Sequence, residues 1–244
     1  MDQANAKQNN KIKIVIPIYD DVTQLDFTGP HQFFTRVPES EVIVAAMGGG
    51  SISVSGLTFG KLADLASIES CDVLCVPGGI GCVAMIENQE FLDQIIRLAG
   101  TAKYVSSVCT GSIILGAAGL LRGKRAACHW ACRDMLSAFG AIPDDARVVR
   151  DGNVFTGGGV TAGIDFALTL ITELVGSEAA QALQLSLEYA PEPPFDAGRP
   201  ETAPANVLET VQARLQKTMP ALRKRIERVA ATQMSESTNA KLAK

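Results

Sequence analysis

Residues 104–121 read YVSSVCTGSIILGAAGLL. Tyr104 to Val108 form a short uncharged run, two small serines among Tyr and Val with no polar alternation, which predicts a strand buried on both faces, as in a parallel sheet. The run passes straight into Cys109-Thr110-Gly111 and then into an apolar helix. A strand breaking sharply into a helix, with small residues (Gly111, Ser112) behind the turn, is a nucleophile elbow, and the turn pushes its central side chain into a cleft. Here that side chain is a cysteine. Its place at a helix N-terminus, where unpaired N–H groups and the dipole favour negative charge, predicts a stabilised thiolate. Cys71, Cys75 and Cys128 read instead as buried structural thiols, since reduced cysteine packs as a small hydrophobe.

Working outward, KIKIVIPIY (11–19), EVIVAAM (41–47) and CDVLCVPGG (71–79) are further strands of the buried type. SISVSG (51–56) alternates like a hairpin arm, and RVVRDGNVFT (147–156) reads as a strand pair turned at Asp151-Gly152. Helical spacing follows Gly29-Pro30 in DFTGPHQFFTRV and recurs over Phe91–Leu98, Trp130–Phe139, Thr161–Leu174 and Glu178–Leu187. YAPEPPFDAGRPETAP (189–204) is a Pro-rich surface loop, and a last helix over Asn206–Ala230 is bent or split by Pro220. Strands alternating with helices predict an α/β fold, a mostly parallel sheet wrapped by helices. Ligands of such sheets collect beyond the carboxyl ends of the strands. That brings 19–26, 77–81 and 109–110 to one cleft. The expected organisation is a disordered tail (1–10), an α/β domain (11–200), and a helical extension (201–244) packed on that domain or on a dimer partner.

The chain has 244 residues and a formal net charge of −4, so charge gives no reason to expect a nucleic acid or an anionic membrane as partner. The polar opening MDQANAKQNN and the lack of a long apolar span predict neither leader nor anchor, hence a cytoplasmic protein. Six dispersed cysteines in that compartment predict reduced thiols rather than a disulfide framework.

Around the elbow, four features bear on chemistry. Gly79-x-Gly81-x-x-Ala84 formally fits a dinucleotide fingerprint, but the next strand ends in Cys109 rather than in an acidic residue. Backbone N–H groups of Gly79 and Thr110 gathered around a developing anion are the better reading, with an ordinary glycine turn as the plain alternative. Asp26, in QLDFTGP, reads equally well as a helix N-cap and as a proton-carrying carboxyl group facing Cys109. His129 lies between Cys128 and Cys132, yet no further Cys/His pair completes a metal set, and His31 reads as a packing residue. TGGGVTAGID (156–165) leads a glycine loop into a helix whose start, near Val160, presents backbone N–H groups. Arg223, Lys224, Arg225 and Arg228 read as a solvated helix face.

The motifs QLDFTGP, VPGGIG, YVSSVCTGSIILGAAGLLRGKRAACHWA, RVVRDGNVFTGGGVTAGIDFALTL and LEYAPEPPFDAG together resemble the DJ-1/PfpI superfamily, and within it the isonitrile hydratases. The resemblance implies a flavodoxin-like three-layer sandwich of the class I glutamine amidotransferase type, a homodimer, and no cofactor or metal. Peptidase and amidase members carry histidine after the nucleophile, where this chain has Thr110, which turns the expectation away from proteolysis. Some transcription regulators carry a similar domain followed by a DNA-binding module; about forty residues follow the Pro-rich loop here, too few for the usual two-motif module. The implied reaction is hydration of an isonitrile to an N-substituted formamide. Cys109 thiolate attacks the terminal carbon, Asp26 supplies the proton and later activates water, and Thr110 hydrogen-bonds Asp26 or the substrate. The N–H groups of Thr110 and Gly79 then steady negative charge, with Val160 in a backbone role. Two other readings stand beside it, a ligand-sensing regulatory domain and a DJ-1-like stress protein with an oxidisable cysteine.

Overall fold

The computed structural model describes residues 11–242, and side chains as far as residue 233. The proposed tail at 1–10 lies outside the described residues. In chain order the strands are β1 (Ile12–Pro17), β2 (Ser40–Ala46), β3 (Ile52–Val54), β4 (Leu57–Phe59), β5 (Ala63–Asp64), β6 (Val73–Val76), β7 (Tyr104–Val108), β8 (Arg125–Ala126), β9 (Ile142–Pro143), β10 (Val148–Asp151) and β11 (Val154–Gly157). The helices are α1 (Gln24–Phe34), α2 (Cys82–Met85), α3 (Gln89–Ala99), α4 (Gly111–Ala117), α5 (Ala162–Val175), α6 (Ser177–Ser186), α7 (Ala205–Leu215) and α8 (Met219–Leu242).

Seven strands form one sheet in the order β10-β11-β7-β6-β1-β2-β5. All neighbours are parallel except the β10–β11 hairpin at one edge. This is the expected α/β sandwich. Helices α1, α5 and α6 pack together on one face, while α2, α3, α4 and α8 pack on the other. The central strands β6 and β7 are buried along their whole length, which is why their sequences show no polar alternation. The hydroxyls this places in the interior are all satisfied. Ser106 Oγ donates to the Leu74 carbonyl at 2.8 Å, and Ser112 Oγ to the Ala127 carbonyl at 2.6 Å.

Two expectations change. First, α1 starts at Gln24, so Pro30 lies inside it and Gly29-Pro30 does not open it. Pro30 lacks the N–H that the Asp26 carbonyl, four residues earlier, would have received. The close crossing of α1 with α5 holds the helix together there; a Cβ on Gly163 would meet the Pro30 ring at 3.2 Å. Second, the helix expected over 130–139 is a 3₁₀ segment, Arg133–Phe139, closed by Gly140 at φ 74°. The expected split of the C-terminal helix is present: it breaks at 216–218, and Pro220 falls in the first turn of α8, where its missing N–H costs no bond.

Helix α8 packs against α4, α2 and the 3₁₀ segment, with Ile226 and Ala230 buried. Its basic residues are not merely solvated. Arg225 and Arg228 both pair with Glu87, and Arg223 pairs with Asp134 at 2.6 Å. By contrast, α7 buries no residue. Among the described residues no helix is long and apolar enough to cross a membrane.

Candidate active site

Cys109 follows the carboxyl end of β7 and is held at φ 59°, a left-handed conformation costly for a residue with a side chain. Its N–H donates to both the Gly157 and Gly158 carbonyls, at 3.1 and 2.8 Å. The end of β11 therefore fastens the elbow from the side. Behind the turn, a Cβ on Gly111 would strike the Val76 carbonyl, with the Val76 carbonyl carbon only 2.9 Å away. Only glycine lets α4 start so close to β6.

The Pro77-Gly78-Gly79 loop lies against this turn. The Tyr19 hydroxyl donates to the Pro77 carbonyl at 2.8 Å, tying the loop to the segment after β1. Gly78 N–H donates to Asp26 Oδ2 at 3.0 Å. Asp26 is thus in the first turn of α1 without capping it. Thr23 is the residue before the helix, and the carboxyl group reaches across to another loop. Asp26 is 0% exposed, and its Oδ1 has no hydrogen-bond partner among the described residues. A buried acceptor left open in this way costs stability and needs an explanation.

The nearest explanation is the thiol. Burial pushes the Asp26 carboxyl up from 3.8 to about 7, against the opposing pull of the Gly78 N–H and of Cys109. Cys109 moves in the same direction. Burial raises it well above the ordinary thiol range, Asp26 raises it further, and the Thr110 N–H pulls the other way. The thiolate expected at the helix start is therefore overridden, because desolvation of a nearly enclosed sulfur outweighs the N–H groups around it. Near neutral pH the thiol therefore keeps its proton, while the Asp26 carboxyl stands close to its midpoint.

Thr110 and Gly79 also differ from expectation. The Thr110 hydroxyl accepts from Gly79 N–H at 2.8 Å and donates to the Gly79 carbonyl at 3.1 Å. The Gly79 N–H is consequently not offered to the cleft, and the hydroxyl does not bond Asp26. Of the two N–H groups expected to steady an anion, that of Thr110 remains directed at the sulfur.

A cavity of about 450 Å³ opens above this floor, lined by Gly79, Ile80, Cys109, Thr110, His129 and Val160 among others. Asp26 lies beneath it rather than in its wall. Sequence reasoning passed over two parts of this cavity. His129 enters it as a neutral imidazole, since burial lowers its pKa and Nδ1 accepts from the Ala131 N–H at 3.3 Å. The α7–α8 junction also lines it, with Leu215, Met219 and Leu222. No local pattern marks residues brought in from a hundred positions away. His31 is partly buried on α1 and does not line the cavity. Among the described residues no group of three or more His, Cys, Asp or Glu side chains is placed to hold a metal ion, and all six cysteines are buried free thiols.

The family model described as DJ-1/PfpI family matches residues 12–173. The chain belongs to the DJ-1/PfpI family. Among DJ-1/PfpI relatives, an isonitrile hydratase of Pseudomonas putida is 50% identical over 206 residues, 83% of this chain and 90% of that protein. A ThiJ/PfpI family protein from Pseudomonas syringae superposes with a TM-score of 0.85 at 39% identity, covering 90% of each chain. Drosophila melanogaster DJ-1beta shares the fold, with a TM-score of 0.67 at 24% identity over 74% of this chain and 100% of that one. The matched stretch 12–173 contains Asp26, Gly79, Cys109, Thr110 and Val160; it ends before α7 and α8.

Proposed function

We propose that this chain hydrates isonitriles to N-substituted formamides, with Cys109 as nucleophile and Asp26 as its acid and base. The observation that carries the reading is the buried thiol–carboxyl pair at the elbow, in which burial raises the pKa of both members, that of Asp26 to about 7. The relative named isonitrile hydratase supports it at half identity over most of the chain. An isonitrile carbon is a poor electrophile until it is protonated. Asp26 hands its proton to that carbon, the sulfur adds, and the thiol proton returns to the carboxylate, so that R–N≡C and Cys–SH give the thioimidate R–N=CH–S–Cys. Water then adds with Asp26 taking and returning a proton, and the tetrahedral adduct collapses to R–NH–CHO and the free thiol.

In this scheme the Thr110 N–H steadies charge on sulfur, its hydroxyl holds Gly79 in place, and Val160 contributes backbone at the cavity edge. The reading includes a cytoplasmic homodimer. Exposed apolar side chains at Leu185 and Phe195, at 82% and 79%, support self-association over the C-terminal third. The test is formamide release from a simple alkyl or aryl isonitrile. The wild type should turn over, Cys109→Ala should release none and Asp26→Asn very little. Turnover by Cys109→Ala, or none by the wild type, overturns the proposal.

A further inference from the structure

We propose that the junction between α7 and α8 is a wall that meets the substrate's N-substituent and selects for apolar groups there. The inference rests on the isonitrile reading for its substrate, and on the cavity alone for its shape.

The reactive carbon must reach the Cys109 sulfur, so the rest of the molecule lies against the other residues that line the cavity. Leu215 at the end of α7 and Met219 and Leu222 on the first turns of α8 are the large aliphatic side chains that the C-terminal helices bring to that lining. All three are partly buried. Apolar walls favour apolar guests, at about 25 cal/mol per Å² removed from water. Arg225 is the one charged residue lining the cavity, and its guanidinium is bound to Glu87, whose carboxyl it holds down at about 2. A cationic substituent would therefore lose its hydration without gaining a free counter-ion.

The wall is also fixed in place. Ile226 and Ala230 bury α8 on the domain, Arg225 and Arg228 clamp Glu87, and the Met219 sulfur lies 3.9 Å from Cys132 Sγ. Meanwhile the family match ends at residue 173. The reacting residues thus belong to the shared domain, and the extension adds Leu215, Met219 and Leu222 to the surface around them. Division of labour between the two follows from where each lies in the chain.

The experiment compares methyl isonitrile with cyclohexyl isonitrile in the wild type, in Leu222→Ala and in Lys224→Ala, an exposed position on α8 outside the cavity. Leu222→Ala should lower kcat/KM for the cyclohexyl compound about tenfold, mainly through KM, while methyl isonitrile changes less than about twofold. Lys224→Ala should keep the wild-type ratio. A parallel measurement follows modification of the Cys109 peptide by benzyl and methyl methanethiosulfonate, which needs no turnover; Leu222→Ala should reduce the benzyl-to-methyl rate ratio. Equal losses for large and small compounds in Leu222→Ala, or an unchanged benzyl-to-methyl ratio, overturn the wall. If the wild type hydrates neither isonitrile, the substrate reading fails, and the thiosulfonate ratio alone decides the wall.

Discussion

Thr110 and Gly79 are joined by two hydrogen bonds through a single hydroxyl, which accepts from the Gly79 N–H at 2.8 Å and donates to its carbonyl at 3.1 Å. Both lie in the interior, so neither backbone group has water as a substitute. Thr110→Val keeps the shape and strands the Gly79 N–H, while the Gly79 carbonyl still accepts from the Cys82 N–H at 3.2 Å. We expect a stability loss of about 1–3 kcal/mol, read as a lower Tm, and a fall of about tenfold in kcat/KM as the loop over the thiol loosens. Thr110→Ser should recover most of both. Wild-type behaviour in the valine variant would show that the two bonds carry neither stability nor position.

The elbow's glycines make a sharper contrast. A Cβ on Gly111 collides with the Val76 carbonyl, backbone against backbone, whereas a Cβ on Gly198 meets nothing within 4 Å. Gly111→Ala must push α4 away from β6 and should fail to fold or lose more than about 3 kcal/mol, as overpacking at a rigid contact does. Gly198→Ala should match the wild type in denaturant titration. An unperturbed Gly111→Ala would mean that the strand-to-helix turn has room the geometry denies it.

The strand-to-helix order, the hairpin at 151–152 and the elbow were all legible, because each rests on a short-range signal: a buried run, an Asp-Gly turn, small residues behind a break. Asp26 was only half legible. Its type and place near a helix start suit a cap as well as an acid, and only tertiary placement shows it reaching to Gly78 instead. The thiol's protonation was misjudged because local context supplies the helix dipole while burial is a property of the whole fold. Leu215, Met219 and Leu222 carried no signal, since apolar residues on a C-terminal helix look the same whether they cover a core or a cavity.

Helix α8 is held by one buried side chain more than by its ion pairs. Ile226 is 0% exposed, while the side chains of Arg225 and Arg228 are 42% and 68% exposed in their pairs with Glu87. Ile226→Ala should cost about 2–4 kcal/mol, the usual range for deleting a buried aliphatic side chain. Glu87→Gln should cost no more than about 1 kcal/mol, as exposed pairs do, and that small loss should shrink further in high salt. The reverse order in urea titrations would mean that charge rather than burial anchors the extension.

The proton on Asp26 gives a prediction with two readouts. Burial raises its carboxyl from 3.8 to about 7, so between those values the folded chain holds a proton that the unfolded chain has released. Its contribution to stability is full below about pH 4 and is lost as the pH rises through about 7. Thermal denaturation should therefore show the wild type losing stability from pH 5 to 8 relative to Asp26→Asn, which has no proton to lose. Activity follows the same group in the same direction. The protonated carboxyl starts the addition, so kcat/KM should be level below about pH 7 and decline above it. The residual rate of Asp26→Asn should lack that limb. If the wild type and Asp26→Asn lose stability in parallel and share one pH–rate profile, the titrating group is not Asp26, and the acid must be sought elsewhere around the cavity, first at His129.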